Sequence, residues 1–296
     1  MAERTVAWKP RSENKILGTY VERIDGVEKA SGRAKYSTDV NPAGTLHARL
    51  LTSPHASAKI TSIDVEPAKK VAGVRGVYVF PGRKAGSQIL FEGHPLVAVA
   101  ADTPAQAADG VKAIKIEYEV LPHFVNETDL AQAYERGRAK PQKTAQEGDV
   151  GAAIADADGT VTGFYGIHTI SHVCLEPHGS HCQWPAEGEL LAHLSTQNVS
   201  GTPKQFSDPL GIDAAKVTVN CDYIGGGFGS KFSADEWGIA CAALSRETGK
   251  PVRLHLDRAT ELKIAGVRPS GFLDVTIACD KDGKITGWDG HHWGTS

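Results

Sequence analysis

The sequence of 296 residues predicts an α+β fold arranged in two domains. Its length exceeds the roughly 100–200 residues of a usual single domain. Both halves of the chain carry short runs of branched apolar residues between turn residues, and each half has one clear helix pattern. Between the halves, from Asn126 to Asp149, the chain is polar and charged with few large apolar side chains. We therefore predict one domain over residues 16–127, a linker over 128–149 and a second domain over 150–296.

The first half is expected to form five strands and a helix. The helix begins after Thr103, a typical N-cap residue, with Pro104 at its first position and an alanine-rich run to Lys112. Each predicted strand is rich in branched residues and is bounded by Gly, Pro, Asp or Ser. The predicted strands are Leu46–Leu51, Ile60–Val65, Gly76–Val79, Leu96–Ala100 and Ile114–Tyr118.

The second half is expected to add four strands and one strong helix. The helix spans Asp235–Thr248, shows an apolar face and ends at Gly249, a residue typical of helix C-termini. A turn at Asp280–Gly283 predicts a hairpin. The chain then stops soon afterwards without a capping element, so we expect a continuation on a longer protein. The predicted strands are Leu190–Ser195, Val217–Cys221, Val252–Leu256 and Gly271–Ala278.

Composition excludes several classes of protein. A formal net charge of -3, with no dense Lys/Arg stripe, argues against a nucleic-acid partner. No run approaches the roughly 20 apolar residues of a membrane span, so we expect no transmembrane segment. Residues Met1 to Pro10 lack an apolar stretch after positive charge, so we expect no signal peptide. We predict a cytoplasmic protein, or a periplasmic one if it is exported folded with a partner that carries the signal.

Metal-ligating residues do not form a decisive pattern. The five cysteines are odd in number and form no C-x-x-C pair, so we expect ordinary free cysteines. One histidine-rich stretch leaves two interpretations open. Its residues could bind zinc or iron, or they could satisfy buried backbone groups near a cofactor pocket. The residues are His168, His172, Glu176, His178 and His181.

The most informative stretch is a run of four glycines around one phenylalanine, which we call the glycine loop: Gly225, Gly226, Gly227, Phe228 and Gly229. Glycines there let backbone N–H groups approach a bulky ligand closely. A plain turn with a core phenylalanine is the alternative. A phosphate loop fits poorly, because Lys231 is not followed by Ser or Thr. Upstream, Gln197 follows a predicted strand and could donate its amide to an oxo or carbonyl group, or it could be an ordinary loop residue.

Several motifs follow one another along the chain. The first half carries Arg23-Ile24-Asp25-Gly26, Gly32-Arg33-Ala34-Lys35-Tyr36, Ser53-Pro54-His55-Ala56 and Gly93-His94-Pro95-Leu96. The second half carries Leu175-Glu176-Pro177-His178, Ser195-Thr196-Gln197, the glycine loop with Lys231, and Gly249-Lys250-Pro251-Val252-Arg253. Together they resemble the molybdenum-binding large subunits of the xanthine dehydrogenase and aldehyde oxidase family, most of all the bacterial aldehyde-oxidising ones.

This resemblance implies an a/b hammerhead domain followed by the first mixed α/β part of a molybdopterin-binding domain. It implies a molybdopterin cofactor, in plain or cytosine dinucleotide form, whose own sulfurs hold the molybdenum, so that no protein side chain is a metal ligand. In the family, the residue matching Gln197 bonds the molybdenum centre and the residue matching Phe228 lies beside the substrate. Backbone amides of the glycine loop approach the cofactor. We interpret Gln197 and Phe228 as catalytic residues, and Gln197 together with the whole glycine loop as cofactor-binding.

The resemblance also implies oxidation of aldehydes to carboxylic acids with water as the oxygen source. The family's base, a glutamate, matches no residue of this chain, so we expect no turnover without the C-terminal part of the molybdenum region. [2Fe–2S] and FAD centres are expected on partner subunits. Phe232 stands where purine-oxidising members carry a glutamate, which favours aldehydes or aromatic substrates. The alternatives are a hydroxylase of N-heterocycles such as isoquinoline or nicotinate, and a non-catalytic assembly subunit.

Overall fold

The computed structural model describes residues 10–141 and 143–295. The expectation of no signal peptide concerns residues 1–10, of which 1–9 lie outside the described part. Over the first half the elements are α1 (Gly26–Ala30), β1 (Leu46–Thr52), β2 (Ala58–Asp64), α2 (Glu66–Lys69), β3 (Val74–Val79), β4 (Gln88–Ile89), β5 (Pro95–Ala101), α3 (Pro104–Ala113) and β6 (Lys115–Val120).

The remaining elements in chain order are α4 (Leu130–Glu135), α5 (Val150–Ala155), β7 (Gly159–Ile167), β8 (Ile170–Ser171), β9 (Gly179–Ala186), β10 (Glu189–Leu194), α6 (Thr202–Leu210), β11 (Val217–Asn220), α7 (Asp235–Thr248), β12 (Val252–His255), α8 (Arg258–Ile264), β13 (Val267–Arg268), β14 (Gly271–Cys279) and β15 (Ile285–Trp293). The mixed α and β content confirms the predicted fold class.

The predicted elements lie where local signals place them. All nine predicted strands are present, with ends shifted by a few residues at most. Helix α3 begins at Pro104, and the Thr103 side chain accepts a hydrogen bond from the Gln106 N–H as its N-cap. Helix α7 has the predicted bounds, and Gly249 ends it with a φ of 64°. The predicted hairpin turn joins β14 to β15.

The largest sheet combines strands from both halves of the chain. Its order is β11-β10-β9-β12-β1-β5-β3. Strand β12 pairs in parallel with β1, with Leu46 opposite Val252, so the second half of the chain joins the first directly. Two three-stranded sheets, β15-β14-β7 and β4-β2-β6, and the pair β13-β8 complete the described strands. Among its described residues, 128–141 and 143–149, the predicted linker contains the short helix α4 and no other helix or strand.

Two apolar clusters form the core. The smaller one belongs to the first half and contains Ile60, Ile89, Leu96 and Val99. The larger one lies against the opposite face of the seven-stranded sheet and contains residues of both halves, among them Leu46, Ala98, Leu190 and Leu254. The two halves therefore share a core as well as a sheet. A domain boundary at 128–149 stays a prediction, for which first cleavage there in limited proteolysis is the expected outcome.

Candidate cofactor and substrate site

Four neighbouring strands bring their connecting segments to one edge of the large sheet. Strand β10 is parallel to β11 and antiparallel to β9, and β9 is antiparallel to β12. The C-terminal ends of β10, β11 and β12 and the N-terminal end of β9 therefore meet at the same edge. The segments that follow or precede these ends are 195–198, 221–234, 256–261 and 174–178. This edge collects the residues that the sequence singles out.

The glycine loop lies at this edge in close contact with two neighbouring segments. The Gly225 N–H donates to Glu176 Oε2 at 2.7 Å, and a Cβ at Gly225 would lie 2.5 Å from the Cβ of Glu176. A Cβ at Gly227 would collide with the Gln197 amide. Gly226 and Gly229 have φ angles of 103° and 101°, a region that favours glycine. All four glycines are thus required by geometry.

Phe228 projects from this loop into the open. Its side chain is 70% exposed, and its φ of 52° is unusual for a residue other than glycine. Among the described residues, Phe228 therefore does not pack in the core. An exposed aromatic ring held in a strained backbone conformation indicates a functional role, since such strain is concentrated at functional sites.

Gln197 is held through the oxygen of its side-chain amide by the glycine loop and by Lys231. Its Oε1 accepts from the N–H groups of Gly229 at 3.0 Å and Lys231 at 3.3 Å. Its own backbone N–H donates to the Lys231 carbonyl at 2.7 Å. Within residues 10–141 and 143–295, Nε2 has no protein acceptor. The amide donor is therefore oriented by two bonds to its oxygen and is free to donate to a ligand.

This arrangement fits the group that the sequence predicts. An oxo ligand of a molybdenum cofactor accepts hydrogen bonds, and Gln197 Nε2 is an oriented donor for it. The open side of Gly229, where a Cβ would meet no heavy atom within 4 Å, leaves the backbone accessible to a large ligand. Gln197 and the residues of the glycine loop, Gly225, Gly226, Gly227, Phe228 and Gly229, come together as one surface. Their roles toward a cofactor stay predictions.

Behind the loop lies a buried polar network centred on Lys231. The Lys231 side chain is fully buried, and its Nζ donates to the Glu176 carbonyl at 2.7 Å and to Ser195 Oγ at 2.6 Å. The Glu176 carboxylate lies 3.7 Å away and is 5% exposed. Burial lowers the pKa of Lys231, and the nearby Glu176 charge opposes that shift. The network joins segments 174–178 and 195–198 to the end of the loop.

A second buried pair adjoins this network. His178 Nδ1 lies 2.8 Å from Glu261 Oε1, and the two side chains are 3% and 2% exposed. The His178 backbone N–H donates to Glu261 Oε2 at 2.9 Å, while His178 Nε2 lies 3.3 Å from the Ser230 carbonyl. Beside it, burial raises the pKa of Asp235 to about 6, although a hydrogen bond from Ser233 and the charge of His178 oppose the shift.

The histidine-rich stretch does not gather into a metal site. His172 bonds the Gly266 carbonyl, and His181 Nε2 lies 3.4 Å from Thr45 Oγ1. Among the residues that the structure describes, no group of three or more His, Cys, Asp or Glu side chains could hold a metal ion. Glu176 and His178 instead bond backbone groups of 225–230, as the second interpretation expects. The metal interpretation of the stretch is therefore wrong for these residues. All five cysteines are free.

Sequence reasoning missed two groups at this edge. Glu261 has no local signal, because it meets His178 across 83 positions of the chain. Lys231 is part of the quoted motif, but nothing in its neighbours shows that it is buried rather than exposed. Phe232 is 51% exposed, and its carbonyl accepts hydrogen bonds from the side-chain amides of Asn198 and Gln205.

None of the described helices combines the length and apolar character needed to cross a membrane.

Two family models match the chain. Residues 130–296 match the molybdopterin cofactor-binding domain. Residues 31–81 match the a/b hammerhead domain of aldehyde oxidase and xanthine dehydrogenase. Both domain types that the resemblance predicts are therefore found, in the predicted order.

Similar proteins carry several substrate names. The chain is 30% identical to xanthine dehydrogenase/oxidase of Mus musculus over 96% of its own length and 22% of that protein. It is 27% identical to the nicotinate dehydrogenase large molybdopterin subunit of Eubacterium barkeri, over 91% of this chain and 68% of that one. The chain thus spans about a fifth of the mouse relative and two thirds of the bacterial one.

Solved structures share the fold. Quinoline 2-oxidoreductase from Pseudomonas putida 86 superposes with a TM-score of 0.81 at 26% identity, covering 93% of this chain and 39% of that one. Aldehyde oxidoreductase from Desulfovibrio gigas superposes with a TM-score of 0.73 at 23% identity, covering 89% of this chain and 33% of that one. At that identity the second match shows the fold alone.

Proposed function

Because the chain belongs to the xanthine dehydrogenase and aldehyde oxidase family of molybdopterin-binding proteins, we propose that it is part of a molybdenum hydroxylase that oxidises aldehydes to carboxylic acids. The observation that carries this proposal is the oriented amide of Gln197. The N–H groups of Gly229 and Lys231 hold its oxygen, and the N–H₂ group, which has no protein acceptor among the described residues, is available to a ligand. A bound molybdopterin supplies the oxidative chemistry, with water as the source of oxygen and two electrons leaving for other centres.

The residues of this chain bind and orient. Gln197 donates its amide hydrogen to an oxygen of the cofactor, which stabilises negative charge on that oxygen. The exposed backbone around Gly229 lets the cofactor approach without obstruction by a Cβ. Phe228 presents its ring to the substrate and limits the planes in which an aromatic or aliphatic group can lie. None of these roles requires a protein ligand to the metal.

The chemistry of the loop favours an apolar substrate. Phe228 and Phe232 are both exposed, at 70% and 51%, near Gln197. An apolar residue at Phe232 offers no acceptor to a purine and excludes the hydrogen bond that purine recognition needs. Aldehydes with an aromatic or aliphatic group match these contacts. A hydroxylase of N-heterocycles is the second candidate, favoured by the similarity to a nicotinate dehydrogenase subunit and to quinoline 2-oxidoreductase.

Other chains complete the enzyme in this proposal. The chain covers 39% of the matched quinoline 2-oxidoreductase chain, and the similar nicotinate dehydrogenase protein is named as a large molybdopterin subunit. We propose that the rest of the molybdenum region supplies the base and the opposite wall of the site. A [2Fe–2S] subunit and a FAD subunit would accept the electrons. The cofactor would be molybdopterin, in its plain or cytosine dinucleotide form.

The test is to purify the complex through this chain and analyse it. We expect molybdenum and pterin in equal amounts, iron and flavin on separate chains identified by mass, and turnover of an aromatic aldehyde. A complex with molybdenum that oxidises quinoline or nicotinate but no aldehyde would favour the second candidate. A complex with neither molybdenum nor pterin would reject both and leave a non-catalytic assembly subunit.

A further inference from the structure

The Glu261 carboxylate, in the first turn of α8, forms its side-chain hydrogen bonds with His178. It is 3% exposed as a whole residue, and both of its oxygens bond His178, one through the ring and one through the backbone N–H. Burying a carboxylate is costly unless it is fully bonded. A carboxylate kept in such a place, away from solvent and from substrate, indicates that its partner must be held in a defined orientation.

His178 passes this orientation on to the glycine loop. Its Nε2 lies 3.3 Å from the Ser230 carbonyl, which can only accept, so Nε2 carries a proton. His178 Nδ1 lies within hydrogen-bond distance of Glu261 Oε1, at 2.8 Å. With both ring nitrogens engaged, the imidazole ring has one orientation available to it. The Ser230 carbonyl is the group that this ring holds.

Ser230 closes the turn that contains Phe228. Its backbone N–H and its Oγ donate to the Gly227 carbonyl at 2.9 and 2.7 Å. The Lys231 N–H, which belongs to the same peptide group as the Ser230 carbonyl, and the Gly229 N–H both donate to Gln197 Oε1. A shift of the Ser230 carbonyl therefore displaces both the ring of Phe228 and the amide of Gln197.

Helix α8 also supports the other end of the loop. Arg258 donates to the carbonyls of Cys174 at 2.8 Å and Leu175 at 3.3 Å. The next residue, Glu176, binds the Gly225 N–H. Glycines have no side chains that could be packed in place, so bonds to backbone groups are the means of fixing such a loop. Helix α8 thus bonds residues 174, 175 and 178, and residues 176 and 178 of the same segment contact the glycine loop at Gly225 and the adjoining Ser230.

We infer that Glu261 is a positioning residue, which acts through His178 on Ser230 to fix the glycine loop. The effect on turnover rests on the proposed function, whereas the effect on the loop does not. The network also defines which substitution preserves it. In Glu261→Gln, the amide oxygen accepts from the His178 N–H and the NH₂ group donates to Nδ1 of a neutral ring, while Nε2–H still bonds Ser230. In Glu261→Ala both His178 groups lose their buried partner.

The experiment measures amide hydrogen exchange in the complex purified through this chain. We expect Glu261→Ala to accelerate exchange of residues 225–231 at least tenfold relative to the α7 core, and Glu261→Gln to stay within threefold of wild type. In a His178→Ala background most of the Glu261→Ala effect on residues 225–231 should disappear, because the ring that links Glu261 to Ser230 is already absent and only the backbone N–H of residue 178 still bonds Glu261. Ile60→Ala, in the smaller apolar cluster, is the control for a general loss of stability.

The outcomes separate the inference from a merely structural role. Loop exchange in Glu261→Ala that matches Ile60→Ala at an equal fall in Tm would overturn it. The inference would also be overturned if Glu261→Ala accelerated loop exchange as much in the His178→Ala background as in the wild type. The same holds if Glu261→Gln accelerated loop exchange as much as Glu261→Ala does. If Glu261→Ala yields no complex, Glu261→Leu fills the volume without bonding and is measured instead. Where molybdenum is present, kcat should fall at least tenfold with less than a twofold loss of metal, and this readout alone depends on the proposed function.

Discussion

The first half of the chain and the candidate site are held together by different interactions. Around β2 and β5 the core is an apolar cluster with Ile60, Ile89, Leu96 and Val99 almost fully buried. At the edge where β10 and β11 end, the buried groups behind the glycine loop are ionisable. Lys231 is 0% exposed, and Glu176, His178 and Glu261 are at most 7% exposed.

The difference follows from what each region must hold in place. Apolar packing is non-directional and proportional to buried area, so it suits side chains that fill a core. A run of glycines has no side chain to pack, so only its backbone N–H and C=O groups can form contacts that hold it in place. Hydrogen bonds are directional and fix such groups in orientation as well as distance. The site therefore depends on buried ionisable groups such as Lys231, Glu176 and Glu261, whereas the described part of the first half has no buried Lys, Arg, Asp or Glu.

Removal of the Lys231 charge should have the largest effect and tests this difference directly. Lys231→Met keeps the length of the side chain but leaves the Glu176 carbonyl, Ser195 Oγ and a buried carboxylate without their donor. Breaking a buried pair in this way costs about 3–5 kcal/mol. We expect a large fall in Tm, measured by thermal unfolding of the complex.

The matched control is Lys204→Met. Lys204 forms an exposed pair with Asp208 at 2.9 Å on helix α6. Exposed pairs contribute at most about 1 kcal/mol, so this variant should unfold close to wild type. Equal Tm values for the two variants would contradict the view that the site relies on its buried charges.

Much of the fold could be predicted because its signals are local. Helix α7 starts and ends at the predicted residues, since its apolar face and the terminal Gly249 lie within the same stretch. Strand β9 was not predicted. Its sequence, Gly179–Ala186, mixes His, Cys, Gln and Pro, and its pairing with β10 and β12 decides its conformation. Helix α6, with Pro203 and Pro209, was missed for a similar reason, because tertiary packing outweighs propensity there.

The candidate site was predictable only in part. Residue pattern alone left Gln197 and Phe228 open, and the resemblance selected them. Glu261 could not be found from the sequence, because its partner His178 comes from a segment before β9 while Glu261 itself follows β12. The topology that joins these segments at one edge is a property of the whole sheet, which no local pattern contains.

Gln197→Ala should produce the next largest effect, a loss of kcat, and tests whether the Gln197 amide acts on the cofactor. The substitution removes the oriented amide donor, and a hydrogen bond to a charged partner contributes about 1.5–3 kcal/mol. If the bond strengthens in the transition state, kcat falls roughly tenfold to a hundredfold. We would measure kcat and KM with one aromatic and one short aliphatic aldehyde, alongside molybdenum content. Wild-type kcat at full metal content would show that the predicted role is wrong.

The pH dependence of stability tests whether Asp235, one of the ionisable groups near the glycine loop, is buried in the folded protein. Its pKa is raised from 3.8 to about 6, mainly by burial. The folded state therefore holds a proton that the unfolded state releases between these values, so stability falls as pH rises from about 4 through 6. The groups that influence this carboxyl are Ser233, His178, Glu261 and Glu236.

Asp235→Asn should remove this fall. Asparagine tolerates the φ of 57° at this position and carries no charge to bury. Two pKa units correspond to nearly 3 kcal/mol, and partial contact with solvent reduces the expected gain at pH 7.5 to about 2 kcal/mol. Thermal unfolding of both proteins from pH 4 to pH 8 provides the measurement. Parallel profiles would mean that the carboxyl is not desolvated in the folded protein.

Phe228 should show the smallest effect on stability and the clearest separation of stability from function. Its ring is 70% exposed and its φ is 52°, so it contributes little packing while its backbone carries strain. A left-handed conformation costs a residue other than glycine about 1 kcal/mol. Phe228→Gly should therefore raise stability slightly, whereas Phe228→Ala, which keeps the strain, should leave it nearly unchanged.

Both variants should retain molybdenum, raise KM and reduce selectivity among aromatic aldehydes, because the ring that limits the substrate plane is gone. The two variants are compared by Tm and by KM for a series of aldehydes. If neither changes the kinetic parameters of any aldehyde, the exposed ring does not contact substrate, and the strain at position 228 serves the shape of the loop alone.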